Sequence, residues 1–226
     1  MSQFAGNSPL RYAITDRNRF AGSEQECQAA LVRNAIRCAA EGLDFIQLRE
    51  KDLAAGALGA LARKLLEALG TSDPAPRLLV NSRADVAIAV AAAGVHLTAA
   101  PGELTPAQVR QLYAAAGLPE PIISVSCHTL DDVARAVSPE PRAGASLILF
   151  GPVFEKVTFE KRAATQPIAA ASGTLAAGAG LDLLRAACAA AAPTPVLALG
   201  GITVANTAAC LAAGATGVAA IRLFAQ

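Results

Sequence analysis

Residues 42–51 read Gly-Leu-Asp-Phe-Ile-Gln-Leu-Arg-Glu-Lys, an apolar run that turns abruptly into a cluster of charges. The apolar part is typical of a short buried strand. The leucines that follow, from Leu53 to Leu66, recur at helical spacing and indicate a helix packed against that strand. A buried strand followed by an amphipathic helix is the repeating unit of proteins with a parallel sheet. This stretch therefore predicts the α/β class.

The same strand-and-helix unit recurs along the chain. We predict strands at Leu10–Thr15, Asp44–Leu48, Arg77–Val80, Gly94–Leu97, Ile122–Val125, Ser146–Phe150, Pro195–Leu199 and Gly217–Ile221. We predict helices at Gln25–Ala40, Leu53–Leu69, Arg83–Ala93, Pro106–Ala116, Leu130–Val137, Leu181–Ala191 and Ala205–Ala213. This pattern and the length of 226 residues favour a single (β/α)₈ TIM-barrel domain over residues 1–226, since such barrels need roughly 200–250 residues. An open doubly wound sheet is the alternative, but no glycine-rich dinucleotide motif follows the first strand.

Two segments stand outside this repeat. Residues 155–180 include Lys161 and a small-residue tract at 169–180, and they are too long for an ordinary strand-to-helix connection. We predict an active-site lid there, with a disordered insertion as the alternative for the second half. Residues 1–9 are predicted to be an N-terminal tail. They lack the basic start and apolar stretch of a secretory signal, so we expect the protein in the cytoplasm.

Composition argues against several classes of partner. The chain is 54% hydrophobic, yet no apolar run approaches the ~20 residues of a membrane span, so we expect a large interior and no membrane partner. A net charge of +1 gives no electrostatic reason for nucleic-acid binding. The five cysteines show neither a disulfide framework nor metal-ligand spacing. Cys127 adjoins His128, but alternation along the strand turns it away from Ser126 and His128, so we predict a packing role.

The charges that end the second strand are the first site candidate. In parallel α/β proteins, ligands bind at the carboxyl ends of the strands. Arg49 and Lys51 follow that end and could hold a phosphate or pyrophosphate. The alternative is a solvated salt bridge between these cations and Glu50.

Further candidates follow other strands. Gly200 and Gly201 lead into a helix and would let backbone N–H groups approach a phosphate, with a tight turn as the alternative. Arg222, after the eighth strand, could add a charge or be a surface residue. His128 ends the fifth strand, and both proton transfer and structural hydrogen bonding are open for it. His96 lies within a strand and is predicted to be packed and hydrogen-bonded.

Several motifs occur in order between about Arg11 and Phe224. They are Tyr12-Ala13-Ile14-Thr15-Asp16-Arg17, Gln47-Leu48-Arg49-Glu50-Lys51, Val80-Asn81-Ser82-Arg83-Ala84-Asp85-Val86-Ala87, Gly94-Val95-His96-Leu97, Ser124-Val125-Ser126-Cys127-His128-Thr129, Phe150-Gly151-Pro152-Val153-Phe154 and Leu199-Gly200-Gly201-Ile202. Together they resemble the thiamine phosphate synthase superfamily, which also contains the TenI-type thiazole tautomerases. The resemblance implies a (β/α)₈ barrel, in agreement with the strand count, and a role in thiamine biosynthesis.

The resemblance also implies roles for individual residues. The synthase joins a pyrimidine methyl pyrophosphate to a thiazole phosphate, with Mg²⁺ on the leaving pyrophosphate. The positions that match its substrate-binding residues are Gln47, Arg49, Lys51, Asn81 and Ser126, and Lys161 would match a lid lysine if the loop shifts. Those that match the thiazole phosphate site are Gly200, Gly201 and the end of the eighth strand near Arg222.

Two departures from the synthase pattern concern the metal. Synthases have Asn-Asp where this chain has Asn81-Ser82, and a second metal-binding Asp is missing from the segment Thr98-Ala99-Ala100-Pro101. Because Mg²⁺ is usually held by carboxylates, this chain is expected to bind no metal or other cofactor unless the synthase hypothesis holds.

The leading hypothesis is therefore a metal-independent thiazole tautomerase, in which His128 moves a proton on a carboxylated thiazole phosphate. One alternative is a divergent thiamine phosphate synthase. Another is a non-catalytic binder of thiazole or thiamine phosphates. Each implies a small-molecule phosphate ligand, and a homodimer is left open as the assembly.

Overall fold

The computed structural model describes residues 8–98, 100, 102–138, 140, 143–158, 174–176 and 178–225. Within these ranges the strands are β1 (Leu10–Ile14), β2 (Phe45–Leu48), β3 (Arg77–Asn81), β4 (Gly94–Leu97), β5 (Ile122–Cys127), β6 (Leu147–Phe150), β7 (Lys156–Thr158), β8 (Thr174–Ala176), β9 (Val196–Leu199) and β10 (Gly217–Ala220). The helices are α1 (Glu24–Ala40), α2 (Ala55–Leu69), α3 (Ala84–Ala89), α4 (Pro106–Ala115), α5 (Leu130–Ala136), α6 (Gly180–Ala191) and α7 (Val204–Ala212). A 3₁₀ turn covers Arg17–Arg19.

Eight of these strands close into one parallel barrel. The order around it is β1-β2-β3-β4-β5-β6-β9-β10, and β10 returns to β1 through pairs such as Leu10 with Gly217. Alternate side chains fill the interior, where Tyr12, Phe45 and Leu149 belong to one buried cluster. The remaining strand side chains pack against the helices in a second, outer cluster. The predicted TIM barrel is therefore confirmed.

The helix starts follow local sequence chemistry. Reciprocal capping boxes join Thr105 to Gln108 at the start of α4 and Thr203 to Asn206 at the start of α7. Each satisfies backbone N–H groups that have no partner inside the helix. Pro106 occupies the first turn of α4, as the sequence predicts, because its missing N–H costs nothing there. These caps orient the loops that follow the strands.

Some element boundaries differ from the sequence prediction. Helix α3 ends at Ala89 rather than continuing to Ala93, because Ala91 adopts a left-handed φ of 52° that a helix cannot continue through. Helix α2 begins at Ala55 rather than Leu53. Strand β5 extends to Cys127.

The predicted lid at 155–180 contains two short strands that the sequence did not indicate. Strands β7 and β8 pair in antiparallel fashion, in register from Lys156 with Ala176 to Thr158 with Thr174. Residues 159–173, which include Lys161, lie outside the described residues, as do residues 1–7 of the predicted tail. Among the helices of the described ranges, none has the length and apolarity needed to cross a membrane.

Candidate active site

The carboxyl ends of the barrel strands carry a layer of inward polar side chains. Alternation along β2, β3 and β5 places Gln47, Asn81 and Ser126 on the inner side of the barrel. Gln47 Nε2 donates to Asn81 Oδ1 at 2.8 Å. Gln47 is 1% exposed, and its Oε1 accepts no hydrogen bond from the described residues. An unsatisfied buried acceptor costs about 1–3 kcal/mol, so a ligand N–H would be stabilising there.

Arg49 and Lys51 follow β2 at the same end of the barrel. Neither forms an ion pair with another described residue. The alternative in which they pair with Glu50 is wrong, because the Glu50 carboxylate is buried and held elsewhere. Arg17 Nη1 lies 3.0 Å from Glu50 Oε2, and the Thr15 hydroxyl donates to Glu50 Oε1 at 2.6 Å.

Arg17 holds further carboxylates besides Glu50. Its Nη1 and Nη2 donate to the two oxygens of Asp52 at 2.7 and 2.8 Å, and its Nε donates to Glu24 at 2.7 Å. The hydrogen bond to Asp52, followed by those to Glu24 and Glu50, raises the pKa of Arg17 despite its burial. Both acidic neighbours of Lys51 in sequence are therefore turned toward Arg17.

A cavity of about 310 Å³ opens at the carboxyl ends of β2 and β3. Its lining includes Lys51, Asn81 and Ser82. A larger groove of about 650 Å³ is lined by residues such as Arg11 and Asp44 and contains none of the predicted site residues. The smaller cavity is therefore the candidate site, because it adjoins the strand ends where polar side chains converge.

One carboxylate near this cavity, that of Glu103, was not predicted from the spacing of residues in the sequence. Glu103 Oε2 accepts from the hydroxyls of Ser82 at 3.3 Å and Thr98 at 2.5 Å, and from the Thr98 N–H at 3.2 Å. Ser82 itself has a left-handed φ of 51°, a strained conformation found most often at functional sites. The synthase pattern places its metal-binding carboxylates beside Asn81 and shortly after His96-Leu97, where this chain has none. The β4–α4 loop instead brings Glu103 back to the end of β3.

A chain of hydrogen bonds crosses the barrel interior beneath these residues. Tyr12 OH lies 3.0 Å from Ser124 Oγ, which lies 2.7 Å from His96 Nδ1. His96 Nε2 lies 2.9 Å from Ser126 Oγ. Burial, together with the smaller effect of the nearby charge of Arg49, lowers the pKa of His96 to about 3, so the ring is neutral. The packed, hydrogen-bonded role predicted for His96 is confirmed.

His128 and Cys127 separate at the end of β5. His128 is exposed, and its ring Nδ1 is hydrogen-bonded to the carbonyl oxygen of Gly151. Its backbone N–H donates to Asp132 Oδ2 at 2.9 Å. It therefore lies at the barrel mouth rather than in the helical shell, and its role in proton transfer stays a prediction. Cys127 is fully buried in the outer cluster, and burial raises its pKa to about 12. Its packing role is confirmed, because a thiol in that state is a poor nucleophile.

The turn after β9 needs its glycines for packing. Gly200 and Gly201 have φ angles of 93° and 65°. A Cβ on Gly201 would lie 2.7 Å from Phe154 Cβ, and one on Gly200 would lie 2.6 Å from Pro152 Cα. The tight-turn interpretation therefore holds, and phosphate binding by the same backbone stays a prediction. Arg222 is exposed, two residues beyond β10.

Comparison with known proteins assigns the chain to a family. The family model described as thiamine monophosphate synthase matches residues 11–224. The chain belongs to the thiamine monophosphate synthase family. The family resemblance predicted from the motifs is thereby confirmed.

Relatives in this family cover most of the chain. A Geobacter sulfurreducens protein provisionally named a thiamine-phosphate synthase is 40% identical over 210 residues, or 93% of this chain and 84% of that protein. A thiamine-phosphate synthase of Roseiflexus sp. is 36% identical over 218 residues, or 96% of this chain and 79% of that protein. A solved structure named thiamine phosphate pyrophosphorylase from Pyrococcus furiosus is 25% identical with a TM-score of 0.69, covering 96% of this chain and 88% of that one. These names give no support to tautomerase specificity.

Proposed function

We propose that this member of the thiamine monophosphate synthase family is a transferase that couples a pyrimidine methyl pyrophosphate to a thiazole phosphate. The observation that carries the proposal is the pair of cations Arg49 and Lys51, which follow β2 and have no carboxylate partner in the described ranges. Lys51 lines the cavity. A tautomerase acts on one carboxylated thiazole phosphate and needs a single phosphate site, for which the turn at Gly200 and Gly201 would serve. A reaction between two phosphorylated substrates needs a second phosphate site, and a pyrophosphate calls for more positive charge there than a carboxylate does.

The residues suit the charge changes of that reaction. A bond forms between the thiazole ring nitrogen and the methylene carbon, the bond from that carbon to pyrophosphate breaks, and pyrophosphate leaves with the electron pair. Arg49 and Lys51 would stabilise the negative charge that develops on the leaving group, which is often the largest contribution an enzyme makes. Gln47 Oε1 would accept an N–H of the pyrimidine substrate, with Asn81 fixing the Gln47 amide.

The donors near the cavity fit the Mg²⁺ that the family pairs with the leaving pyrophosphate. Among the described residues no three His, Cys, Asp or Glu side chains form a metal cluster. Mg²⁺ is nevertheless commonly held by one or two carboxylates together with substrate phosphates and waters. Glu103, with the hydroxyls of Ser82 and Thr98, would provide that single carboxylate. When bound, Mg²⁺ supplies positive charge to the leaving group.

A coupling assay tests the proposal directly. The purified protein is incubated with hydroxymethylpyrimidine pyrophosphate and thiazole phosphate, with and without Mg²⁺, beside a tautomerase assay on the carboxylated thiazole phosphate. We expect thiamine phosphate and pyrophosphate to form in equal amounts and only with Mg²⁺. Isomerisation without coupling would overturn the proposal in favour of the tautomerase, and binding without either reaction would favour a non-catalytic role.

The contribution of Glu103 has its own test. Glu103→Gln removes the charge with little change in shape, and Glu67→Gln on the exposed face of α2 is the matched control. We expect the Mg²⁺ concentration needed for half-maximal coupling to rise at least ~10-fold in Glu103→Gln, since that change removes the carboxylate from the donor set. An unchanged Mg²⁺ requirement would mean that the ion is held elsewhere.

A further inference from the structure

We propose that Arg17 is a positioning residue that keeps Arg49 and Lys51 available for a pyrophosphate. This inference rests on the proposed function, because it concerns the same anion site. It gives a role to a buried arginine that does not itself line the cavity and reaches it only through Glu50, which does.

The need for such a residue follows from the local sequence. Residues 49–52 read Arg-Glu-Lys-Asp, so each cation has an acidic neighbour that could neutralise it. In the structure both carboxylates bind Arg17 instead. The Glu50 side chain is 1% exposed, and its oxygens also accept the Arg17 backbone N–H at 3.2 Å. The Asp52 carboxylate meets the guanidinium in a two-point contact, the geometry that arginine favours.

The same contacts fix the backbone from which Arg49 projects. Thr15 Oγ1 donates to Glu50 Oε1 at 2.6 Å and accepts the Arg49 N–H at 2.9 Å. Arg17 lies in the 3₁₀ turn after β1, where the Phe20 N–H donates to its carbonyl at 3.1 Å. Arg17 is therefore held in the turn after β1, and its guanidinium binds the carboxylates that follow β2.

Removal of Arg17 would leave a buried carboxylate without its counter-ion, which is strongly unfavourable. Glu50 would then be drawn to the cations on either side of it in sequence, Arg49 and Lys51. Each such pairing would reduce the positive charge offered to a pyrophosphate. The proposal therefore predicts that the defect of an Arg17 variant is corrected by also removing the charge of Glu50.

Calorimetric titration with inorganic pyrophosphate at a fixed Mg²⁺ concentration tests this, with thermal unfolding recorded for every variant. We expect Arg17→Met to weaken pyrophosphate binding ~10-fold, about the contribution of one contact to a charged group. The double variant Arg17→Met/Glu50→Gln should return to within about three-fold of wild type, because the charge of Glu50 is gone and only the exposed Asp52 still competes for Lys51. Arg19→Met, in the same turn but exposed, is the matched control and should bind as wild type does.

A milder pair covers the case in which Arg17→Met does not fold. Arg17→Lys keeps the charge but cannot hold Asp52 at two points, so Asp52 is released toward Lys51. We expect pyrophosphate binding to weaken ~3-fold in Arg17→Lys and to recover when Asp52→Asn is added, since a partly screened surface charge contributes less.

The outcomes separate this inference from the proposed function. Unchanged pyrophosphate affinity in a folded Arg17 variant, or a loss that the second substitution does not correct, would overturn the positioning role alone. Wild-type protein that binds no pyrophosphate would overturn the proposed function, and the positioning role with it.

Discussion

The two sides of the barrel mouth are built differently. The cationic side, at the ends of β2 to β4, comprises Arg49, Lys51, Asn81 and Glu103. The Asn81 and Glu103 side chains form hydrogen bonds with other side chains, whereas Arg49 and Lys51 have no ion-pair partner in the described ranges. The glycine side, at the ends of β6 and β9, comprises Gly151, Gly200 and Gly201. There the backbones pack so closely that a Cβ on Gly151 would lie 1.9 Å from the Leu199 carbonyl oxygen.

This difference separates binding from folding. On the cationic side, a substitution changes charge at a partly exposed position and leaves the barrel core intact. On the glycine side, a substitution places a Cβ against neighbouring backbone and so destabilises the folded protein even without a ligand. Mutational tests of the two sides therefore need different controls.

The largest effect is expected on the glycine side. Gly201→Ala meets both Phe154 at 2.7 Å and a φ of 65°, whereas Gly117→Ala has a φ of 68° with nothing within 4 Å. We expect Gly117→Ala to lower the free energy of unfolding by about 1 kcal/mol and Gly201→Ala by about 2–4 kcal/mol, the excess coming from overpacking. Urea denaturation measures both. Equal losses would mean that the loop at Phe154 moves aside freely.

The next effect concerns binding on the cationic side. Arg49→Ala should weaken pyrophosphate binding ~10–100-fold, because a hydrogen bond to a charged group contributes about 1.5–3 kcal/mol. Its free energy of unfolding should stay within about 1 kcal/mol of wild type. Titration calorimetry and urea denaturation give the two numbers, and Arg33→Ala on the exposed face of α1 is the control. If Arg49→Ala lowered the free energy of unfolding by as much as it lowered the free energy of pyrophosphate binding, the cationic side would not differ from the glycine side.

Acidification tests the buried hydrogen-bonded chain beneath the barrel mouth. His96 has a folded pKa of about 3, below its ordinary value of 6.5, so the unfolded chain binds the proton more readily between those pH values. The stability associated with the neutral ring is thus present above about pH 6.5 and is lost as the pH falls, at up to ~1.4 kcal/mol per pH unit. We expect His96→Gln to lack this component in urea denaturation between pH 7 and 4. Parallel pH profiles for the two proteins would contradict the buried neutral ring.

The smallest effect is expected at His128. The proposed coupling includes no proton transfer among its bond changes, so under that proposal His128→Asn should change the coupling rate by less than about three-fold. A tautomerase would instead lose ~10²–10⁴-fold, the usual contribution of a proton-transfer group. Steady-state rates of both reactions decide between them. A large loss of coupling in His128→Asn would mean that His128 takes part in the coupling reaction.

The sequence predicted what depends on local periodicity. Strand alternation placed Ser126 inside and Cys127 outside the barrel, and the run before Arg49 correctly gave β2. These predictions hold because a strand in a closed barrel has only two faces.

The contacts that the sequence did not predict join distant segments. The partner of Glu50 is Arg17, 33 residues away, and no spacing rule selects it over the adjacent cations. Glu103 contacts Ser82 because the β4–α4 loop folds back toward β3, and its distance in sequence from His96 does not indicate this. Ala91 ended α3 early through a backbone angle that its residue type disfavours.

The hydrogen-bonded chain beneath the mouth has a direction. Tyr12 OH is buried, and its hydrogen needs an acceptor, which among the described residues is Ser124. Ser124 must then donate to His96 Nδ1, so the proton of the neutral ring resides on Nε2 and is donated to Ser126. The hydroxyl hydrogen of Ser126 is left pointing away from the ring. A tyrosine deep in the barrel thus fixes the tautomer of a histidine, and through it directs the Ser126 hydroxyl hydrogen away from the ring, where a ligand atom with a lone pair would be favoured.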